Sequence, residues 1–153
     1  MDIISLIAAT LVLGIIFIAG LRERMVNIPR WFADPPSSFE IIRQQAGPAA
    51  KFWIPVQIIF LITLITAFIT NWKYTEVRSY LLLGTLCFVI VVILTTTYFV
   101  KEIMAFSRIP VTGEATPELL KRADRWFKTT IIRNIVQGIA LRFFTIACIK
   151  GYR

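Results

Sequence analysis

The chain of 153 residues contains no histidine, only two cysteines and only nine acidic residues. Without histidine, the commonest metal and haem ligand and the usual neutral-pH general base are both missing. Cys87 and Cys148 fall inside long apolar runs. Neither a disulfide framework nor a metal site follows from them, and both read as small apolar fillers. There is no glycine-rich phosphate loop, no nucleophile elbow, no CxxC and no pair of carboxylates on one helix, which removes the motif-defined enzyme classes. Internal repeats and low-complexity tracts are missing as well.

Apolar surface is what the chain has in quantity: 57% of residues are hydrophobic and the mean hydropathy is +0.72. With 17 Lys and Arg, the net charge of +8 would raise the question of nucleic acid. The cations, however, crowd between apolar runs, so they signal membrane orientation and no nucleic-acid partner is expected. Ile3 to Leu21 is a run of 19 uncharged residues. At about 1.5 Å per residue it just crosses a hydrocarbon core of about 30 Å. A cleavable signal peptide would carry its cations before the run, whereas here Asp2 precedes it and Arg22 and Arg24 follow, so the run reads as an anchored span. Further spans are expected over 52–70, 79–100 and 129–149, the last interrupted by Arg133 and Arg142. The expected fold is all-α: a single transmembrane four-helix bundle over residues 1–153, with no room for a separate soluble catalytic domain.

Counting Lys and Arg by side gives 5 between Arg22 and Lys51 and 6 between Lys101 and Lys128, against 4 on the other side. The positive-inside rule then places both long loops in the cytoplasm and both termini on the outer side. Short interfacial helices are expected in these loops. Ser37 with Glu40 reads as a capping box for a helix ending at Gly47-Pro48. Thr116 with Pro117 opens a stretch from Glu118 to Lys128 that runs without a breaker into the fourth span, and whose apolar side and cations, Arg122 and Arg125 among them, suit anionic headgroups. Trp31, Trp53, Trp72 and Trp126 fall near span ends, as an aromatic belt would place them. Gly84 and Gly138 would let helices approach closely.

The fourth span carries the candidate site. An arginine at a helix centre costs roughly 2.5–3.5 kcal/mol on a translocon scale, so it faces a bundle interior, a partner or a polar cavity. Trp126, Arg133 and Gln137 share one stripe at helical spacing, with Asn134 beside it. By depth, Gln57 on the second span and Thr95, Thr96, Thr97 and Tyr98 on the third join them in one polar layer. Glu102, one turn beyond Tyr98, is the expected ionic partner of Arg133. The plain alternative stays open: Arg133 snorkels, the threonines bond to their own helix, and the layer is structural glue. Arg142, near mid-bilayer on roughly the opposite face, has no acid at its depth. Thr63, Thr66 or backbone carbonyls could meet it; otherwise it implies a partner subunit or an anionic lipid.

The order of features carries a resemblance: a glycine-bearing first span, a proline-rich loop with a short helix, and a Thr-rich end of the third span. Arg125-Trp126 follows, with Arg133 seven residues after the tryptophan. The chain resembles the anthrone oxygenase-like family of small four-helix membrane proteins, with Thr129 and Thr130 standing where that family tends to have Trp-Asn. The resemblance implies oxidation of a polycyclic phenol by dioxygen without metal or flavin. Trp126 and Arg133 would line the pocket, Arg133 would stabilise an oxyanion or enolate, and Glu102 or Tyr98 would stand in as the base. Two functions are thus expected: a hydrophobic small molecule bound or converted at the polar layer, or an accessory subunit of a larger membrane complex. A homo-oligomer is compatible with either.

Overall fold

The computed structural model describes residues 2–152 and is all-α. Four helices are long and apolar enough to cross a membrane: α1, Ile3–Trp31; α2, Phe39–Asn71; α3, Thr75–Ser107; and α4, Pro117–Tyr152. They form an integral membrane four-helix bundle. α4 packs against both α1 and α3, α1 also packs against α2, and α2 and α3 close the ring more lightly. The turn between α2 and α3 lies at one end with Asp2 and Tyr152, the short-loop end. The two longer connections lie at the other, the long-loop end.

Each helix runs well past its expected span at the long-loop end, so the short helix expected after Ser37 is not separate but forms the start of α2. α2 begins at Phe39 and continues through Gly47, Pro48 and Pro55 without a break. Both prolines are exposed, so each ring sits on the outside of the helix and the lost backbone bond falls on that side. The capping box does not form either. The Glu40 carboxylate takes an ion pair from Arg43 at 2.9 Å, and the hydroxyl of Ser38 donates to the Trp31 carbonyl at 2.7 Å. Thr116 does cap α4, its hydroxyl accepting from the Leu119 amide at 3.2 Å. The helix that follows is unbroken for 36 residues, as expected of a stretch running straight into the fourth span, and its Glu118–Lys128 part packs Ala123 and Trp126 into the protein while Lys121, Arg122, Arg125 and Lys128 stay exposed.

Two apolar cores fill the bundle. The larger, toward the short-loop end, contains Leu13, Phe60, Leu81, Phe88 and Phe144. The smaller, at the long-loop end, contains Ile28, Trp31, Phe39, Phe99, Phe106 and Trp126. Trp31 and Trp126 are therefore core residues, with ring centroids 6.2 Å apart, and not part of an aromatic belt. Trp72 does sit exposed at a span end, under the Arg78 guanidinium.

Between the cores, α1 and α3 each contain one π-helical turn, Glu23–Asn27 and Thr95–Phe99. The sequence shows why. The inward positions of α1 follow three-four spacing through Leu6, Ala9, Leu13, Ile16 and Gly20, and those of α3 through Val77, Leu81, Gly84, Phe88 and Val91. Continued unchanged, this spacing would turn Asn27 and Tyr98 inward. The extra residue in each π turn advances the phase by one and buries Ile28 and Phe99 instead. Two further devices tie the ends. At the long-loop end, Arg43 donates to the carbonyls of Ser107 and Ile109, both at 2.6 Å, capping α3. At the short-loop end, Asn71, fully buried, bonds to the Asp2 backbone, to Ser5 and to Thr70, joining α2 to α1.

Candidate functional site

The two cores leave a polar layer between them, and α1 and α4 supply most of it. On α4, Thr130 and Asn134 are four residues apart, as are Arg133 and Gln137, and the two pairs stand side by side on one face. On α1, Gly20, Glu23 and Arg24 stand opposite. Arg133 pairs with Glu23 at an N···O distance of 3.8 Å, and its guanidinium lies over the Phe99 ring, 5.1 Å from the centroid. Side-chain exposures of 13% and 15% put this pair inside the protein. Trp53 of α2 neighbours the same carboxylate. Arg24 donates to the Phe127 carbonyl at 2.9 Å and to the Thr130 hydroxyl, and stacks on the Phe127 ring.

Asn134 is 5% exposed, and neither its amide oxygen nor its amide nitrogen has a hydrogen-bond partner. Gln137 is equally buried. Gly20 faces both: a Cβ there would stand 3.5 Å from Gln137 Oε1 and 3.8 Å from Asn134 Oδ1. The layer thus holds an ion pair, two aromatic faces and two primary amides against a glycine. It can present a cation and hydrogen-bond donors to an anionic or carbonyl oxygen, beside a carboxylate able to take a proton.

The expected site residues divide. Arg133, Asn134 and Gln137 come together as the stripe predicts, and Trp126 stands next to them, its indole N–H donating to the Phe99 carbonyl at 3.3 Å. Glu102 is not the partner of Arg133. It accepts two bonds from Arg122, at 2.6 and 2.9 Å, near the long-loop end. Glu23 takes the place expected for it, because α1 stays helical past Arg22 and carries that carboxylate into the bundle. Thr95, Thr96 and Thr97 each bond to a carbonyl of their own helix, as the plain alternative has it. Thr96 is exposed, whereas Tyr98 and Gln57 are half-buried, Tyr98 packing on Phe99 at 5.1 Å. Arg125 and Arg142 are exposed. Thr63 and Thr66 bond to their own helix and do not meet Arg142. Two open clefts, of about 310 and 290 Å³, lie toward opposite ends of the bundle, and neither is lined by a residue of the polar layer.

The Glu102–Arg122 geometry makes a prediction of its own. Arg122 is 43% exposed at its side chain, so solvent screens the pair. Glu102→Gln should change unfolding stability by no more than about 1 kcal/mol, measured by denaturant titration in micelles.

Glu23, Arg24 and Thr130 are the residues the sequence reading missed. A usable signal was present: the three-four spacing of α1 continues through Gly20 and resumes at Ile28 and Trp31, which marks 21–27 as helix rather than loop. No family model, no curated protein and no solved structure matches the chain.

Proposed function

We propose that this membrane protein binds a hydrophobic small molecule whose polar head enters the layer of Glu23, Arg133, Asn134 and Gln137. The observation that carries the reading is Asn134. A buried primary amide with no bonding partner costs about 1–3 kcal/mol, and a ligand carbonyl or hydroxyl at that point would take up the bonds the protein leaves open. Arg133 supplies the charge that favours an anionic oxygen, and the apolar cores on either side suit a hydrophobic body. The Lys and Arg asymmetry supports placing the layer in the cytoplasmic half, with the termini outside.

The resemblance to the anthrone oxygenase-like family extends the reading to oxidation by dioxygen. A ring carbon would lose two hydrogens, one oxygen atom would become a carbonyl on it and the other would leave as water. With Glu102 held by Arg122, the first proton goes to Glu23, and Arg133 holds the enolate oxygen.

Asn134→Leu tests the reading because the two roles of that residue give opposite signs. As a ligand-binding amide it is a stability cost, so the leucine variant should be more stable by about 1–3 kcal/mol. Native mass spectrometry after gentle extraction should then show at least a tenfold loss of a bound small mass. If Asn134 only glues helices together, the same variant should be less stable. Equal retention of one mass by the parent, Asn134→Leu and Arg133→Met proteins would overturn the assignment.

A further inference from the structure

Arg142 takes no part in the polar layer. It is exposed on α4, and among the described residues no side chain or carbonyl forms a hydrogen bond, ion pair or ring contact with it. Its level is fixed by neighbours on the same helix. Gly138 lies against Phe17 of α1, and Cys148 lies 3.1 Å from the Thr10 hydroxyl. Seven residues of helix separate Arg142 from Ile149, where the expected span ends beside the exposed ion pair of Lys150 and Glu76, about 10 Å at 1.5 Å per residue. That distance is about a third of the hydrocarbon thickness and still more than an arginine side chain covers. The Cα–Cβ bond tilts toward the N-terminus of its helix, away from that nearer end, so the geometry also works against snorkelling.

The surroundings of Arg142 form a second helix-packing seam. Ile132, Ile135, Ile139, Arg142, Ile146 and Ile149 follow one another at alternating steps of three and four residues along the outside of α4. This is the spacing by which one helix packs on another, and a polar group at one such position fixes register with its partner. Ile132, Ile135, Ile139 and Ile149 are 44–56% exposed, and at the short-loop end the seam opens into the cleft of about 290 Å³ formed with Ile3 and Ile7.

We propose that this seam docks a transmembrane helix of another protein, one that places an aspartate or glutamate opposite Arg142. Charge decides the occupant. The carboxylates of this chain at the short-loop end are Asp2, which caps α1, and Glu76, which pairs with Lys150. The others lie at the polar layer or beyond it toward the long loops. A second copy packed side by side would therefore set Arg142 against Arg142. A lipid phosphate stays at the headgroup level, out of reach at this depth. A carboxylate carried on a partner helix meets both requirements.

The test is a photo-crosslinking amino acid at Ile139 in the native membrane, with Ile69 on the exposed face of α2 as the control position. The expected result is a discrete adduct from Ile139 alone, whose mapped peptide lies in a membrane span bearing an Asp or Glu. The adduct should fall at least tenfold in Arg142→Leu and survive in Arg142→Lys. Arg142→Glu combined with arginine at the partner's acid should restore it. An adduct with a second copy, adducts with lipid only, a mapped span without an acid, or an adduct unchanged in Arg142→Leu would each overturn the proposal. The mapping uses the unsubstituted Arg142 protein, so the result stands even if the leucine variant accumulates poorly.

Discussion

Removing Arg133 alone, as Arg133→Met, should cost the bundle about 3–5 kcal/mol, and removing Glu23 with it, as Glu23→Gln, should return most of that loss. The single variant leaves the Glu23 carboxylate, 15% exposed at its side chain, without the cation it faces. An uncompensated buried charge is among the most costly changes a protein can undergo. Arg24 cannot readily take over, because its guanidinium is committed to the Phe127 carbonyl, the Thr130 hydroxyl and the Phe127 ring. Glu23→Gln alone reverses the imbalance, leaving two arginines on one layer. In the double variant neutral groups of similar length replace both charges, and a well-packed neutral pair is often as stable as the ion pair it replaces. The measurement is a denaturant-unfolding double-mutant cycle in micelles, with the coupling energy as its readout. A coupling below about 1 kcal/mol would mean that water reaches the pair and screens it. The buried layer between the cores would then be wrong. Ligand retention adds a separate readout: the double variant should fold and still fail to bind, because the charge that favours an anionic head is gone.

The sequence made the four helices legible because lipid allows only helices or closed barrels, and predominantly apolar runs of 19 to 22 residues are too long and continuous for barrel strands. The α4 stripe was legible for the same kind of reason, since residues three and four apart on a helix share a face whatever surrounds them. Pairing across helices was not. Glu102 and Glu23 are both carboxylates near basic residues, and the choice between them depends on where α1 goes after Arg22, a matter of packing. Glu23 was hidden by its neighbours, because Arg22 and Arg24 make the stretch look like a loop. Only the buried spacing from Gly20 to Ile28 shows that the helix continues. Trp31 and Trp126 show a second limit. An aromatic near a span end satisfies the rule for a membrane belt and the rule for a core equally well, and only the second helix lying over it distinguishes them. The two π turns lie between these cases. Each is a one-residue slip in an otherwise regular pattern, visible once the inward faces on both sides are known.

Gly84→Ala is the sharpest test of how α3 and α4 pack, since its sign separates contact from no contact. In a helix facing nothing, alanine for glycine stabilises by up to about 1 kcal/mol. At Gly84 the new methyl carbon would lie 2.6 Å from two ring carbons of Phe144 and 3.3 Å from the Ala140 carbonyl oxygen. Phe144 cannot readily swing aside: it is fully buried and packs on Phe60 with ring centroids 5.8 Å apart. The substitution therefore has to push α3 away from α4 or force the ring off its rotamer. Overpacking of this kind costs about 1–3 kcal/mol. Gly14, with nothing within 4 Å of its would-be Cβ, is the matched control and should gain stability on the same change. Phe144→Leu in the Gly84→Ala background makes room for the methyl, so the double variant should lose less than the two single losses combined. A Gly84→Ala protein as stable as its Gly14→Ala counterpart would mean that α3 does not seat on α4 at this level. The larger apolar core, the floor on which the polar layer rests, would then have to be redrawn.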